Sequence, residues 1–328
     1  MLSQKIEKIL KGELKAFKSR LNKAVASSDG IATLTEHFTD FQGKHLRPIL
    51  TMLAAKAVAP GKTLKETHFD MAVIVELIHN AALVHDDVLD EAKIRRQVKT
   101  YNQRWGNEMA VIFGDYLFAR LFAHITKVQS TSLLKTISEA SNRVCMGELN
   151  HLMKRFNPYG LTEPEYLKII NNKTASLFAL STYLGAAVST SDQKAVRALK
   201  SYGDNFGLAY QIMDDYKDIA ETEKASGKST GNDMFNGKIT LPIIRAIRNS
   251  STASRRELKA LLSIGVRNDR DLAMRKNRLH QMLAANGALN YAHQQAEKYI
   301  RRATKNLSGL KDSTYKDILI DLAESVIA

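Results

Sequence analysis

The chain opens with apolar side chains at Leu2, Ile6, Leu10, Leu14, Phe17, Leu21 and Val25. Steps of three and four residues align these on one face of an α-helix, whereas a half-buried strand needs alternation at every second residue. The same rhythm returns at about 66–91, 108–127, 131–155, 163–188 and 191–220, and in several segments after 253, with no convincing period-two run between them. A chain patterned this way must bury helical faces against one another, which predicts an all-α fold. Proline placement agrees: Pro48, Pro158, Pro164 and Pro242 fall at helix starts or in loops, where the absent N–H is tolerated.

Turn chemistry is confined to short breaks, SSDG at 27–30, APGK at 59–62 and NPYGLTEPE at 157–165. The longest polar stretch, ETEKASGKSTGNDMFNGK at 221–238, is long enough in a compact helical protein to suggest a functional loop. No linker, repeat period or shift in composition marks a boundary, so residues 1–328 read as a single domain. Cys145 stands alone, which excludes a disulfide framework and cysteine-rich zinc sites and suits a reducing compartment. No apolar run is long enough to span a bilayer, and the N-terminus lacks the apolar core of a signal peptide. A cytoplasmic protein with no transmembrane segment is expected. The excess of 48 Lys+Arg over 34 Asp+Glu attracts polyanions. No nucleic-acid motif accompanies it, so the charge decides little by itself and no nucleic-acid partner is expected.

LVHDDVLDEAKIRRQ at 83–97 crowds Asp86, Asp87 and Asp90 onto about one helical turn. Residues four apart share a helix face, so Asp86 and Asp90 point together, with Asp87 about 100° round. QIMDDYKDIA repeats the spacing at Asp214, Asp215 and Asp218, again at the end of an apolar helix. A single cluster would ordinarily be a solvated acidic helix end. Two with identical spacing are hard to dismiss, and they could face each other across a cavity. Hard oxygen ligands without cysteine suit Mg²⁺, which keeps several waters and takes oxygens from substrate phosphates. Basic residues follow both clusters, Lys93, Arg95 and Arg96 after the first and Lys224, Lys228 and Lys238 after the second. Carboxylates alone would hold a metal; carboxylates ringed by arginine and lysine point to a metal–diphosphate. GKHLRP at 43–48 sets Lys44 and Arg47 around a glycine turn, ready for a second anion with no metal ligands nearby. His79 should share the inward side of the first aspartate helix, where it is as readily a core residue as a diphosphate ligand. GKST at 227–230 fails as a P-loop, because Thr222 stands where glycine is needed and no strand precedes it.

Taken in order, these motifs resemble the trans-type polyprenyl (isoprenyl) diphosphate synthases over roughly residues 40–245. GKHLRP resembles the family's G-K-R-L-R-P element, ELIHNAALVHDDVLDEAKIRR its first aspartate-rich motif, and FGDYLFA at 113–119 the helix that follows. NNKTASLF at 171–178 carries the Lys-Thr pair, and LAYQIMDDYKDI with GKSTGNDMFNGKITLP resembles the second aspartate-rich motif and its loop. The resemblance implies a single large orthogonal helical bundle of the isoprenoid synthase type around a deep central cavity. It implies that Asp86, Asp87, Asp90, Asp214, Asp215 and Asp218 surround three Mg²⁺ ions on an allylic diphosphate, with Asp87 and Asp215 in the outer positions. Arg95, Lys173 and Lys238 would contact that diphosphate, and Gln211 and Thr174 would steady an allylic carbocation. Lys44, Arg47, His79 and Arg96 would hold isopentenyl diphosphate, while Lys228 and Asp233 would close the loop over the cavity. The implied activity is head-to-tail condensation to a trans-polyprenyl diphosphate by a homodimer, with peripheral membrane contact open to it for product release.

Four departures from the family pattern stand out. His45 replaces a usual arginine, weakening one expected isopentenyl contact. Gln97-Val98-Lys99-Thr100 stands where Gly-x-Pro-Thr usually follows the arginines, His151 replaces a usual glutamine, and the terminal LAESVIA lacks arginine. None removes a metal ligand. Ala81 and Ala82, five and four residues before Asp86, would face down the product tunnel, where short-chain enzymes place a bulky aromatic. Two alanines therefore imply a product longer than C20. The alternative is a short-chain farnesyl or geranylgeranyl synthase, with Phe113 or Phe118 as candidates to close the tunnel. A terpene cyclase would not need Lys44, Arg47 and a second full D-D-x-x-D. A non-catalytic regulatory subunit would carry degenerate aspartate motifs, and both motifs are intact.

Overall fold

The computed structural model describes residues 2–27, 30–41, 43–220, 238–263 and 268–328. Its helices are α1 (Leu2–Ile9), α2 (Lys11–Val25), α3 (Ala32–Phe41), α4 (Leu46–Val58), α5 (Glu66–Leu89), α6 (Tyr101–Trp105), α7 (Asn107–Ile125) and α8 (Thr131–Lys154). They continue with α9 (Glu163–Ile170), α10 (Ser176–Ala187), α11 (Gln193–Ala220), α12 (Leu241–Asn249), α13 (Thr252–Ser263), α14 (Asp269–Ala285), α15 (Ala288–Asn306) and α16 (Thr314–Glu324). The all-α expectation holds, with helix bounds close to the apolar rhythm. Among the described residues the exception is a hairpin of two-residue strands, β1 (Ile94–Arg95) and β2 (Val98–Lys99), too short to leave a period-two signal. No described helix is long and apolar enough to cross a membrane.

Two expected helices are modified. The one over 2–25 bends at Leu10, which is fully buried, although the Leu14 N–H still reaches the Leu10 carbonyl at 2.8 Å. The one over 163–188 is interrupted by a π-turn at Asn171–Ala175. Such single turns widen a helix locally and recur at functional positions; this one carries Lys173 and Thr174.

The chain divides into two compact units, residues 1–144 with 176–204 and 304–322, and residues 145–175 with 205–303 and 323–328. Each is discontinuous in sequence, which is why no linker announces it. In the first unit α5 is the spine: Met71, Ala72, Val73, Ile74, Val75, Leu77 and Ile78 are all 0% exposed. A helix apolar on every side must sit inside, and α4, α7 and α10 pack around it. In the second unit α12 buries Leu241, Ile243, Ile244 and Ala246 on one side. Its Arg245 guanidinium lies 4.2 Å from the centre of the Tyr291 ring, whose hydroxyl donates to Glu163 on α9. α9 starts with a capping box, in which the Thr162 N–H donates to Glu165 at 2.9 Å.

Candidate active site

The buried spine α5 delivers its last turn to the surface of the first unit, where Asp86 and Asp90 keep accessible surface and Asp87 is 1% exposed. The Asp87 Oδ1 accepts a 2.7 Å hydrogen bond from Arg95 Nε, and Arg95 Nη2 stands 4.0 Å from Asp86 Oδ2. The other Asp87 oxygen is buried with no hydrogen-bond partner among the described residues. Burial pushes the Asp87 carboxyl up to about 6 against the pull of Arg95, and Asp86 and Asp90 add to the rise.

Arg95 and Arg96 reach the site on the β1–β2 hairpin, paired Arg95↔Val98. The connecting Arg96 and Gln97 have φ of 53° and 68°. Two successive positive values are the sign pattern of a type I′ turn, whose right-handed twist matches the strands and which glycine and asparagine adopt most readily. The turn thus survives the loss of the family's glycine, with Gln97 held in a left-handed conformation. Thr100 closes the hairpin by donating to the Ala92 carbonyl at 2.6 Å, and Asn102 Nδ2 donates to the same carbonyl at 3.0 Å.

Beside this turn lies a group of cationic side chains. The Arg96 guanidinium packs so tightly over Gly43 that a Cβ there would collide with it. Arg47, from α4, donates through Nη1 to His79 Nε2 at 3.0 Å and lies 4.4 Å from the centre of the Phe178 ring. Burial, then Arg47, Arg96 and Arg95, hold the His79 imidazole well below its ordinary pKa, so it is neutral. Arginine cannot accept a hydrogen bond, so Nε2 must accept and the remaining proton sits on Nδ1. Lys44 is exposed next to Gly43. His45 is not part of this group. It is 5% exposed and bonds the buried Glu76 at 3.0 Å, with its ring edge-on to Phe17. The position where the family has arginine is here a core pair, not a weakened phosphate contact.

In the second unit, one hydrogen-bonded chain joins the π-turn to the second aspartate motif. Thr174 Oγ1 donates to Gln211 Oε1 at 2.8 Å, Gln211 Nε2 donates to Asp215 Oδ1 at 2.8 Å, and the Tyr166 hydroxyl donates to Asp215 Oδ2 at 2.5 Å. Burial lifts the Asp215 carboxyl to about 7, opposed by Tyr166 and Gln211 and reinforced by Asp214 and Asp218. Asp214 is exposed and Asp218 half-buried. Lys173 Nζ lies 2.5 Å from Glu148 Oε2 on α8. Gly147 makes this possible, since a Cβ there would strike the Lys173 backbone nitrogen. Although burial works the other way, His151 and Lys173 hold the Glu148 carboxyl well below its usual range. Lys238, just before α12, is half-buried.

Sequence reasoning passed over Tyr166 and Glu148, the two residues that grip Asp215 and Lys173. Gly147-Glu148 beside the expected Gln position was the available signal; Tyr166 left none. Lys228 and Asp233 lie outside the described residues. The two alanines differ: Ala81 is 0% exposed in the core, whereas Ala82 keeps accessible surface.

The donor set fits Mg²⁺. In each unit the aspartate motif offers hard carboxylate oxygens, and in the first the Asp87 Oδ2 is buried with no hydrogen-bond partner among the described residues. Among the described residues no three acidic, histidine or cysteine side chains converge to chelate an ion unaided.

A family profile described as polyprenyl synthetase matches residues 28–279. The chain is 34% identical to an all-trans-nonaprenyl-diphosphate synthase (geranyl-diphosphate specific) of Rhodobacter capsulatus, across 92% of this chain and 90% of that protein. It is 32% identical to a short chain isoprenyl diphosphate synthase of Methanothermobacter thermautotrophicus, across 89% of this chain and 88% of that one. Its fold matches the crystal structure of a decaprenyl diphosphate synthase from Rhodobacter capsulatus with a TM-score of 0.89 at 33% identity, covering 99% of this chain and 98% of the other.

Proposed function

The chain belongs to the polyprenyl synthetase family, and from that premise we propose that it condenses isopentenyl diphosphate head to tail with an allylic diphosphate to give a trans-polyprenyl diphosphate longer than C20. The observation that carries this reading is the presence, within one unit, of a carboxylate helix end and of a second cation group in which Arg47 donates to a neutral His79 beside Arg96. One anion with metal and one without are what two diphosphate substrates require. Asp86 and Asp90, and Asp214 and Asp218, are assigned to metal and Asp87 and Asp215 to holding Arg95 and Gln211. Those carboxylates would hold Mg²⁺, three ions on this reading, which would supply electrostatic stabilisation of the departing diphosphate.

This chain's own residues do the rest. Arg95, Lys173 and Lys238 bind the allylic diphosphate, and Arg95 is pre-aimed by Asp87 as Lys173 is by Glu148. The C1–O bond breaks with its electron pair leaving on the diphosphate. Because Thr174 gives its hydroxyl proton to Gln211, its oxygen lone pairs are left to steady the allylic cation. Lys44, Arg47, His79 and Arg96 hold isopentenyl diphosphate so that its double bond forms the new bond to C1. The C2 proton then passes to the leaving diphosphate, and Lys228 and Asp233 are assigned to closing the loop against water.

Product length is read from Ala82, whose small side chain leaves accessible space four residues before Asp86. Ile112 and Phe122 on α7, 64% and 62% exposed, support a homodimer, which sedimentation would detect. The lone Cys145 supports a cytoplasmic setting. The deciding experiment is incorporation of labelled isopentenyl diphosphate with several allylic primers, with and without Mg²⁺, followed by chromatographic sizing. Mg²⁺-dependent products beyond C20 are expected. Absence of turnover with every primer would refute the enzyme reading, and a farnesyl or geranylgeranyl product would refute the length.

A further inference from the structure

The hairpin that carries Arg95 and Arg96 is anchored from behind by a residue with no assigned role. With Arg95↔Val98 as the closing pair, the next pair, Ile94↔Lys99, turns its backbone groups outward, and the Lys99 carbonyl needs an outside partner. His37 on α3 supplies it: its Nε2 lies 2.9 Å from that carbonyl. The other ring nitrogen, Nδ1, lies 3.1 Å from Arg104 Nη1, so Nδ1 accepts and Nε2 carries the proton. The imidazole is 3% exposed and stands edge-on to Tyr101 and Trp105, with ring centres 4.9 and 5.0 Å away. Both hydrogen bonds demand the neutral tautomer. Burial lowers the pKa of His37, and Arg104 adds to this against the Lys99 carbonyl and Asp40.

Six residues after His37 in the chain comes Gly43, on which the Arg96 guanidinium rests. One short segment therefore grips the hairpin twice, at the Lys99 backbone and under the Arg96 side chain. We propose that His37 is a positioning residue for isopentenyl diphosphate: by holding the Lys99 carbonyl it fixes the turn that presents Arg96 to that anion. The proposal rests on the assignment of Arg96 to isopentenyl diphosphate made above.

The test uses the full-length protein in five forms: wild type, His37→Phe, His37→Gln, Arg96→Ala and His37→Phe/Arg96→Ala. Phenylalanine keeps the aromatic packing and removes both hydrogen bonds; where it is too bulky to fold, His37→Leu takes its place. His37→Phe should raise KM for isopentenyl diphosphate about five- to fiftyfold, the range expected when a buried carbonyl loses its donor. The KM for the allylic primer and kcat should each move less than about twofold, because the hairpin's other contacts remain. Glutamine offers an N–H to Lys99 and an oxygen to Arg104, so His37→Gln should return most of the loss. Arg96→Ala should raise the same KM, and adding His37→Phe to it should do little more, since the two act as one unit. Arg96→Ala with an unchanged KM would overturn the assignment of Arg96 itself. With that assignment standing, the proposal is overturned by an unchanged KM in His37→Phe, by equal losses in both KM values and kcat, or by multiplicative effects in the double variant.

Discussion

Gln97 holds a left-handed conformation, φ 68°, that a side chain resists, directly after Arg96 at φ 53°. Arg96 is assigned to substrate, so the relief available to the turn lies at position 97. Gln97→Gly removes the Cβ clash that makes this region cost about 1–2 kcal/mol for a residue with a side chain. It also restores freedom to the unfolded chain, which opposes by about 0.5–1 kcal/mol. Gln97 is exposed, so little packing is forfeited. The net expectation is a gain of about 0.5–1 kcal/mol in folding stability. Smaller domains shift by roughly 2–4 °C per kcal/mol, and a chain this long moves less, so a rise of about 1–2 °C is expected. Thermal unfolding of wild type and variant side by side reads this, and KM for isopentenyl diphosphate should stay within about twofold because the hairpin register is unchanged. A variant that melts lower would refute the reasoning, since it would mean the glutamine side chain contributes more than its backbone strain costs.

The remaining predictions concern the site and its supports. Asp86→Asn and Asp214→Asn should each lower kcat by about 10²–10³ and raise the Mg²⁺ concentration needed for half-maximal rate, read by a metal titration of turnover. Ala82→Phe should shorten the product, whereas Ala81→Phe should cost about 1–3 kcal/mol of stability by overpacking a site with no accessible surface; product sizing and melting curves separate the two. Glu148 is held from its ordinary 4.5 down to about 2, so it contributes stability that is complete above the unfolded value and lost as pH falls toward the folded one. Glu148→Gln should therefore reduce the drop in denaturant midpoint between about pH 5 and pH 3, and, by loosening Lys173, raise KM for the allylic primer.

What could be read without coordinates follows from how far each cause reaches along the chain. Helix placement was legible because apolar period is a local property, and α5, α7, α8 and α11 lie where the rhythm of three and four puts them. The aspartate clusters were legible for the same reason, since i and i+4 on one helix share a face in any context. The supports were not. Tyr166 meets Asp215 across forty-nine positions and His37 meets Lys99 across sixty-two, distances over which no pattern in the letters persists. His45 shows the converse fault: a motif position identifies the residue's neighbours in sequence but not the side its chain takes, and here it turns inward to Glu76. The β1–β2 turn escaped because Arg-Gln carries none of the usual hairpin chemistry.

The alanine pair marks where a motif stops being informative. Consecutive helix positions differ by about 100° in direction, so two neighbours cannot line the same wall equally. One of them must turn toward the core, and the burial of Ala81 against the accessibility of Ala82 says which. A floor placed at Ala82 changes the space open to a growing chain; the same ring at Ala81 must first displace the packing of α5. Product length in this chain should therefore respond to volume at one alanine and folding stability to volume at the other.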